Sequence, residues 1–396
     1  MPNNPEIHAD EVRDASEQSL LLPGGKIDPD AIRRIAEESG DDDDAELRRV
    51  TLTLKRDLGS RLDKYLTSRI TFLSRNQLQR LIESGGVLVN DRVAKSSTRL
   101  HAGDVIEVVV PPPPPRGTQP EQMDLDILFE DRYLIVLNKS PDVIVHPARS
   151  ELSGTLINGL AWHLRHTSAH GGELSTVGGE FARPGVVHRL DRNTSGCIVF
   201  AKQDEAHWKL GHQFEHRRVD KRYIAVVQGR VEPGVQVIEL PIGPHPSREK
   251  GYREKYVVRH DEQGKNAVTI CRVRERYRDP ARTSGAREYS LVELELRTGR
   301  THQIRVHLSH LGWPIVGDDM YAGRPFVDEA GATLIARQAL HAAVLGFTHP
   351  IEERAMTFTA PVRGDMRELI ANLRRFPSVE RVDPPGATVD AALLAN

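Results

Sequence analysis

The chain has 396 residues, a formal net charge of −2 at pH 7 and two cysteines, Cys197 and Cys271. Two cysteines exclude a disulfide-stapled scaffold and fit a reducing cytosol, and no apolar run approaches the roughly 18 residues of a membrane span. The near-neutral total hides an asymmetry, because residues 1–47 hold 14 acidic and 4 basic side chains whereas residues 48–110 hold 6 and 12. We therefore expect a soluble cytoplasmic protein of two or three domains with one basic segment.

Residues 1–47 show no sustained apolar periodicity, and the run Asp41–Asp44 sets four like charges side by side. Such a segment cannot bury enough apolar surface to fold, so we predict a disordered acidic tail over 1–47. A solubilising role is the simpler interpretation of this tail. Competition with RNA for the adjacent basic segment is the alternative.

Residues 48–110 have the pattern of a small α/β unit in which two helices pack on a sheet. A helix over 61–70 is followed by one that starts at a Ser74/Gln77 capping box, and residues 104–110 close the unit as a strand. The unit resembles the S4 type of RNA-binding domain, whose basic side chains would lie along RNA phosphates and give salt-dependent affinity. The residues predicted to do so are Arg61, Lys64, Arg75 and Arg80. The alternative is a solvated helix pair with incidental positive charge.

Five prolines at Pro111–Pro115 cannot donate backbone hydrogen bonds and favour a stiff polyproline II spacer. They mark residues 111–121 as a linker, across which we expect few contacts, between the basic unit and a second domain over 122–377. Recognition of the prolines by another protein is the lesser alternative. Residues 378–396 are expected to form a flexible C-terminal tail.

Residues 122–377 predict an α+β fold with a mixed, mainly antiparallel sheet flanked by helices. One such helix is expected over Thr155–Leu164. Three histidines in and after that helix, His163, His166 and His170, suggest a metal site. No cysteine accompanies them and their spacing fits no common zinc pattern, so we predict that the protein binds no metal there.

The most unusual acidic residue is Asp191, which lies between Arg189 and Arg192 in a turn rich in Asn, Thr, Ser and Gly. The turn runs into the apolar strand Cys197–Ala201, so the aspartate is expected at a surface cleft on a rigid sheet. Two flanking guanidiniums would keep its carboxylate ionised, as a nucleophile or base requires, and would attract an anionic substrate. Charge spacing alone favours a simpler interpretation, an arginine-capped salt bridge.

The longer residue string changes that balance. Residues 184–196 closely resemble the signature loop of the RluA/RluD family of pseudouridine synthases, whose aspartate is catalytic. Two later stretches, 221–229 and 298–308 with 312–318, resemble further motifs of that family in the same order. The resemblance spans about Met123 to Phe376.

The resemblance implies specific roles for individual residues. It makes Asp191 the catalytic residue and places Tyr223 beside it to stack on the target base, although an aromatic residue in a strand is by pattern alone more often core. It gives Arg305 as the partner of Asp191, with Arg300 as the alternate choice, and spacing does not separate the two. Residues expected to contact RNA near the cleft are Arg189, Arg192 and Arg300. His302 and His307 are expected to be hydrogen-bonded structural histidines rather than bases or ligands.

These features predict an enzyme that isomerises uridine to pseudouridine in RNA, foremost large-subunit ribosomal RNA, free or within pre-ribosomal particles. The reaction moves the uracil from its ring nitrogen to carbon five, so no cofactor is expected, and a stacked uridine must first be flipped out. Asp191 would attack carbon six or the anomeric carbon, or remove a ribose proton, and the sequence does not choose among these routes. The protein is expected to act as a monomer.

Three alternatives remain open from the sequence. Transfer RNA is an alternative substrate for the same reaction. A non-catalytic ribosome-assembly factor would use the same basic surfaces, although intact Asp191 and Tyr223 argue against it. A hydrolase with an aspartate nucleophile is the third alternative, but that chemistry usually requires a second carboxylate and none is clearly placed.

Overall fold

The computed structural model describes residues 21–22, 26–29, 31–32, 49–57, 59–73, 75–110, 119–146, 153–177, 184–247, 255–279 and 287–390. Asp41–Asp44, Ser74 and the prolines of the predicted linker lie outside these residues. Within the part of the chain that is described, no helix is both long and apolar enough to cross a membrane.

A short hairpin packs on the basic unit. Strand β1 (Leu21–Leu22) pairs antiparallel with β2 (Lys26–Ile27). Ile27 and Ile32 are fully buried in the same apolar core as the unit itself. The prediction that all of residues 1–47 form a disordered tail is therefore wrong for these residues. Two isolated isoleucines in a polar segment give no periodic signal, yet each gains free energy when a folded neighbour covers it.

The basic unit is a two-helix, four-stranded module. Its elements are β3 (Arg49–Thr53), α1 (Leu62–Arg69), α2 (Arg75–Glu83), β4 (Val87–Val89), β5 (Arg92–Val93) and β6 (Val105–Val109). The antiparallel strand order is β3-β6-β4-β5. Asn90 and Asp91 have φ 51° and 61°, which joins β4 to β5 through the left-handed turn that suits a hairpin. The prediction of two helices on a small sheet is confirmed.

The larger domain is built on a ten-stranded sheet. The remaining described strands, including two short pairs outside that sheet, are β7 (Ile127–Glu130), β8 (Leu134–Lys139), β9 (Ser195–Ala201), β10 (Asp220–Gln228), β11 (Val235–Glu239), β12 (Ile242–Pro244), β13 (Tyr256–Val258), β14 (Val268–Asp279), β15 (Arg287–Leu296), β16 (Phe326–Val327), β17 (Thr333–Ile335), β18 (Leu340–Thr348), β19 (Ala355–Thr359) and β20 (Ser378–Arg381). Of these, β12 pairs with β13 and β16 with β17. The remaining short pair, β1 with β2, is the hairpin described above.

The main sheet runs in the order β11-β14-β15-β10-β18-β9-β8-β7, with β19 beside β18 and β20 beside β14. Among the described strands only β9 and β18 pair in parallel, so the predicted mixed, mainly antiparallel sheet is confirmed. Gly196 makes the β9 to β18 approach possible, because it has φ 116° and a Cβ there would lie 2.2 Å from the carbonyl oxygen of Ala342.

Four helices flank this sheet, and one three-residue 3₁₀ turn follows the third of them. They are α3 (Leu156–His166), α4 (Asp204–Glu215), α5 (Gln303–His310), the 3₁₀ turn Asp319–Tyr321 and α6 (Gly364–Leu373). Trp208 of α4 is only 6% exposed and is buried in the apolar core of the N-terminal module. The expectation of few contacts across the linker therefore misses one large aromatic contact.

The C-terminal segment is bound to the back of the sheet. Strand β20 pairs with β14, and Val389 is buried. Buried Glu293 of β15 accepts the backbone N–H groups of Thr388 and Val389 at 2.8 and 3.2 Å. The predicted flexible tail is therefore wrong for residues 378–390, because a carboxylate in the middle of a strand supplies a fixed hydrogen-bond partner that the tail's own sequence does not show.

Candidate active site

A cleft opens where the loop before β9, the middle of the sheet and the start of α5 meet. Most of the residues predicted for the larger domain line it. They are Arg189, Asp191, Tyr223, Arg300 and Arg305, together with His302. Arg192 is the exception, since its half-exposed side chain donates from Nε to Asp142 at 2.7 Å instead.

The loop that carries Asp191 is held from behind by buried cations. Lys139, at the end of β8, is 2% exposed, and its ammonium donates to the carbonyl oxygen of Arg192 at 2.8 Å and to two further carbonyls. Arg337 donates from Nη1 to the carbonyl oxygen of Asn193 at 2.9 Å. The backbone on the C-terminal side of Asp191 is thus fixed to the sheet, so the carboxylate keeps its position.

Asp191 is the acidic group at the centre of the cleft. Its side chain is 22% exposed, and Oδ2 accepts a hydrogen bond from Nη1 of Arg305 at 2.9 Å. Burial alone would raise the pKa of this carboxyl, but the nearby positive charges outweigh burial and lower the pKa to about 2; they are those of Arg305, Arg189 and, in the acid range where its ring is protonated, His302. Asp191 is therefore ionised at neutral pH.

Arg305 is oriented by a second carboxylate. Asp318 is fully buried and accepts from Nε and Nη2 of Arg305 at 2.7 and 2.8 Å, a bidentate fork that leaves Nη1 for Asp191. The ring of Tyr321 lies 4.8 Å from the guanidinium carbon of Arg305. Arg300 instead donates to the carbonyl oxygen of Asn266 at 3.2 Å. The geometry therefore places Arg305, not Arg300, against Asp191.

Tyr223 belongs both to the core and to the cleft. It is 6% exposed, sits in β10 opposite Leu294 of β15 and Ala342 of β18, and lies where the β10 to β18 register shifts. Its neighbours on both sides hold the ring in the wall of the cleft that also contains Asp191. The ring is thereby positioned to pack against a planar group placed there.

The two histidines of the third motif differ. His307 is buried, with Nδ1 2.9 Å from the hydroxyl of Thr269 and Nε2 2.9 Å from the carbonyl oxygen of Leu240, as expected of a structural histidine. His302 instead has Nδ1 2.8 Å from the hydroxyl of Tyr321 and Nε2 3.9 Å from Oδ2 of Asp191. His302 is thus hydrogen-bonded, as expected from the sequence, but unlike His307 it also lines the cleft.

The basic side chains predicted in the module fall into two pairs. Arg61 and Arg75 both donate to the fully buried carboxylate of Asp63, at 3.1 and 3.0 Å, while remaining about half exposed. Lys64 and Arg80 are exposed on the same two helices. Phosphate contact by the first pair would thus be combined with an internal ion pair.

The group of residues that most resembles a metal site is hydrogen-bonded within itself. Among the described residues, Asp131, His349 and Glu352 are close enough to share an ion. Nδ1 of His349 accepts the backbone N–H of Glu352 at 2.9 Å, so the ring proton is on Nε2, which donates to Asp131 at 2.9 Å. His163, from the histidine group considered above, has its two ring nitrogens 2.8 Å from Glu130 and 2.7 Å from Thr167.

Sequence reasoning missed Asp318 and Tyr321 as parts of the site. Both follow α5: Asp318 is the last residue of the third motif, next to Gly317, and Tyr321 lies three positions beyond the motif. Their roles depend on side-chain contacts with Arg305 and His302 that arise only when the 3₁₀ turn folds back on α5.

Comparison with known proteins gives consistent matches. Residues 133–310 match the family model for RNA pseudouridylate synthase, and residues 60–106 match that for the S4 domain. An uncharacterized RNA pseudouridine synthase of Bacillus subtilis, YlyB, is 42% identical over 80% of this chain and 94% of its own length. The ribosomal large subunit pseudouridine synthase D of Zymomonas mobilis is 39% identical over 82% and 96%. An RNA pseudouridine synthase of Chloroflexus aurantiacus is 40% identical over 82% and 94%.

Each of these alignments spans at least four-fifths of the chain. The matched family model contains Asp191, Tyr223 and Arg305, the three residues that meet in the cleft. The chain therefore belongs to the RNA pseudouridine synthases of the RluA/RluD type, enzymes that convert uridine to pseudouridine in RNA, and it carries an N-terminal S4 domain.

Proposed function

We propose that this enzyme modifies specific uridines of large-subunit ribosomal RNA, in the cytoplasm and as a monomer, with Asp191 as its catalytic residue. The observation that carries the proposal is an ionised carboxylate that Arg305 hydrogen-bonds through Nη1 and that opens to a cleft beside Tyr223. Several relatives named ribosomal large subunit pseudouridine synthase D support the choice of RNA.

Catalysis begins with a flipped uridine, because the glycosidic bond of a stacked nucleotide is out of reach of a side chain. Unstacking costs a few kcal/mol, which phosphate contacts and stacking on Tyr223 offset. Arg189, in the cleft next to Asp191, and Arg300, at its rim, are placed to hold the displaced backbone. Arg192, which pairs with Asp142 outside the cleft, is placed to contact flanking phosphates.

The role of Arg305 is to keep Asp191 ionised and oriented. Its guanidinium is locked by Asp318, so the bond from Nη1 to Asp191 is preorganised rather than formed during the reaction. Asp191 then acts on carbon six or the anomeric carbon of the flipped nucleotide, or on a ribose proton. The uracil turns and rejoins through carbon five, and the proton released there balances the one gained at the former ring nitrogen.

The neighbouring carboxylate argues against hydrolysis. A glycoside hydrolase of the common type needs a second carboxyl group that gives a proton to the leaving group. Asp318 has both oxygens bonded to Arg305 and is fully buried, so it presents no proton to the cleft. An isomerase that returns the same uracil to the sugar fits this arrangement better.

Outside the cleft, the module supplies the contacts to RNA phosphates. Lys64 and Arg80 are exposed on its two helices, with Arg61 and Arg75 beside Asp63. Such contacts set affinity and register without reading sequence, so the choice of uridine depends on the shape of the RNA that spans the module and the cleft.

The test is pseudouridine mapping of total RNA from cells that contain the chain, lack it, or carry only the Asp191→Asn variant. We expect sites in large-subunit ribosomal RNA that disappear in the last two strains. Sites confined to transfer RNA would refute the proposed substrate, and sites that persist with the Asn variant would refute the proposed residue.

A further inference from the structure

One polar group in the cleft faces Asp191 without bonding to it, and the position of its proton follows from the contacts behind it. The hydroxyl oxygen of Tyr321 accepts the backbone N–H of Tyr256 at 3.0 Å and lies 2.8 Å from Nδ1 of His302. Among the described residues that hydroxyl has no other acceptor for its own proton. Tyr321 therefore donates to Nδ1, and the ring proton of His302 is on Nε2.

Nε2 of His302 points at the space beside the catalytic carboxylate. It lies 3.9 Å from Oδ2 of Asp191, which is beyond hydrogen-bonding distance. The side chain is 11% exposed and lines the cleft. Burial lowers the pKa of His302 to about 4, so the ring is neutral at physiological pH.

The backbone at His302 is held in an uncommon conformation. The residue precedes α5 with φ 55°, a left-handed value that only a few per cent of residues other than glycine adopt, although histidine adopts it more often than most. The turn is fixed by Gln303, whose Oε1 accepts the hydroxyl of Thr298 at 2.7 Å and the backbone N–H of Arg300 at 2.9 Å. Strain of this kind concentrates at functional sites, where it aims a side chain.

We propose that His302 is a further substrate-contacting residue, whose Nε2–H donates a hydrogen bond to a carbonyl oxygen of the flipped uracil. This inference rests on the proposed function of the cleft. The contact would stabilise the negative charge that the base acquires during the reaction, and Tyr321 would act as a positioning residue that keeps the proton on Nε2.

The charge on the base arises in each route open to Asp191. If Asp191 bonds to the anomeric carbon, or takes a ribose proton, the electron pair of the glycosidic bond leaves with the uracil. If Asp191 bonds to carbon six, the displaced electrons of the base pass to a carbonyl oxygen. A neutral imidazole stabilises that oxygen without protonating the base, which must stay nucleophilic to rejoin through carbon five.

The test uses three versions of one transcript, in which the mapped target is uridine, 2-thiouridine or 4-thiouridine. Sulfur is a weak hydrogen-bond acceptor, so each thio version weakens a contact to one carbonyl position. Wild type is compared with His302→Leu, which has no donor, and His302→Gln, which keeps an N–H at similar reach. We expect His302→Leu to lower kcat/KM about 10²-fold and His302→Gln to recover at least a tenfold part of this loss. One of the two thio substitutions should lower kcat/KM of wild type. The same substitution should not lower kcat/KM of His302→Leu any further, because that variant already lacks the hydrogen bond.

Two further variants separate a substrate contact from a structural effect. Tyr321→Phe keeps the ring over Arg305 but frees the His302 proton to move to Nδ1, so we expect a smaller loss that weakens the same thio effect. His310→Leu, on the exposed end of α5, is the matched control and should be unchanged. Because Tyr321→Phe and His302→Gln alter little volume, the test stands even if His302→Leu folds poorly.

The outcomes distinguish this inference from the function on which it rests. Wild type that makes no pseudouridine in the all-oxygen transcript overturns the proposed function. Active wild type with an equally active His302→Leu variant, or with thio effects that persist in full in that variant, overturns only the role of His302. A third outcome concerns the 2′-hydroxyl of the target nucleotide. If its removal lowers kcat/KM of wild type but not of His302→Leu, the contact is to the ribose, and the proposed contact to the base is overturned.

Discussion

Each domain has an aspartate whose carboxylate is held by arginine, Asp63 in the module and Asp191 in the larger domain. In the module, Asp63 is 0% exposed and accepts from Arg61, Arg75, Gln79 and the backbone N–H of Lys64. In the larger domain, Asp191 is 22% exposed and accepts one side-chain hydrogen bond, from Arg305. Both carboxyls have a pKa lowered to about 2, because their hydrogen bonds and neighbouring charges outweigh burial.

The difference shows that a lowered pKa does not by itself mark a catalytic acid. The two oxygens of Asp63 accept five hydrogen bonds, and those from α2 hold it to α1. Asp191 keeps lone pairs that face a cleft, because Asp318 engages Nε and Nη2 of Arg305 and leaves Nη1 as the nitrogen that donates to Asp191. If Asp191 acts as we propose, what distinguishes it from Asp63 is that its carboxylate is available to a substrate, since both carboxylates are ionised.

The largest effect is expected from Asp191→Asn, which keeps the size of the side chain and removes its charge. Turnover should fall by at least about 10³-fold, because the acting group is lost, while RNA affinity changes little. Single-turnover pseudouridine formation and filter binding on one transcript measure the two quantities. Asp142→Asn, an exposed acid paired with Arg192, is the matched control and should stay near wild type. Comparable turnover by the two Asn variants would sink the assignment of Asp191.

The next largest effect is expected from Tyr223. Tyr223→Phe retains the ring that packs on the base and should slow turnover about 10-fold to 100-fold if the hydroxyl takes part in proton transfer. Tyr223→Ala should be slower still, because it also removes a ring that is 6% exposed and packs in the core of the larger domain. Rates are compared at matched folded fractions, measured by circular dichroism. A Phe variant with full activity would limit the tyrosine to stacking.

Asp63→Asn should instead affect stability and leave the chemistry intact. Losing the charged acceptor of Arg61 and Arg75 should reduce the protection of β3 and β6 amides in the full-length chain by about 1–3 kcal/mol. Hydrogen exchange measures that loss, and turnover on a minimal stem-loop should not change.

The same variant provides a test of pH dependence. The folded pKa of Asp63 lies below its ordinary value of 3.8, at about 2. The folded module therefore binds fewer protons than the unfolded one, so the stabilisation is present above about pH 4 and is lost as pH falls towards 2. Protection of the wild-type module should decline in that window more steeply than protection of Asp63→Asn. Parallel declines would show that the ion pair does not stabilise the folded module.

The smallest expected effect concerns the exposed cations of the module. Replacing Lys64 and Arg80 with Gln should weaken binding to a long ribosomal fragment and reduce the log–log salt slope by about 1 to 2, since about two fewer counterions are released. A double variant of Lys209 and Arg354, exposed cations of the larger domain, is the matched control. Removing the module is a poorer test, because it would expose Trp208. Equal slopes for wild type and both variants would mean that Lys64 and Arg80 do not contact RNA phosphates.

Local sequence was sufficient for much of this protein. The apolar spacing of Leu62, Tyr65 and Leu66 predicted a helix that buries all three. The motif strings around Asp191 and Tyr223 identified the cleft residues and the family, because a reacting group and its turn are encoded within about ten consecutive residues. Such features need no knowledge of what lies across the fold.

Tertiary structure decided which partners these residues meet. Asp191 and Arg305 are 114 positions apart, so the choice of Arg305 over Arg300 depends on how α5 is set against the loop before β9. The fork from Asp318, the contact of His302 with Tyr321 and the pairing of Arg192 with Asp142 depend equally on packing. Burial of Ile27, Ile32 and Val389 needed a surface supplied by distant strands. Hydrogen bonds and burial are properties of neighbours in space, which periodicity and spacing along the chain do not record.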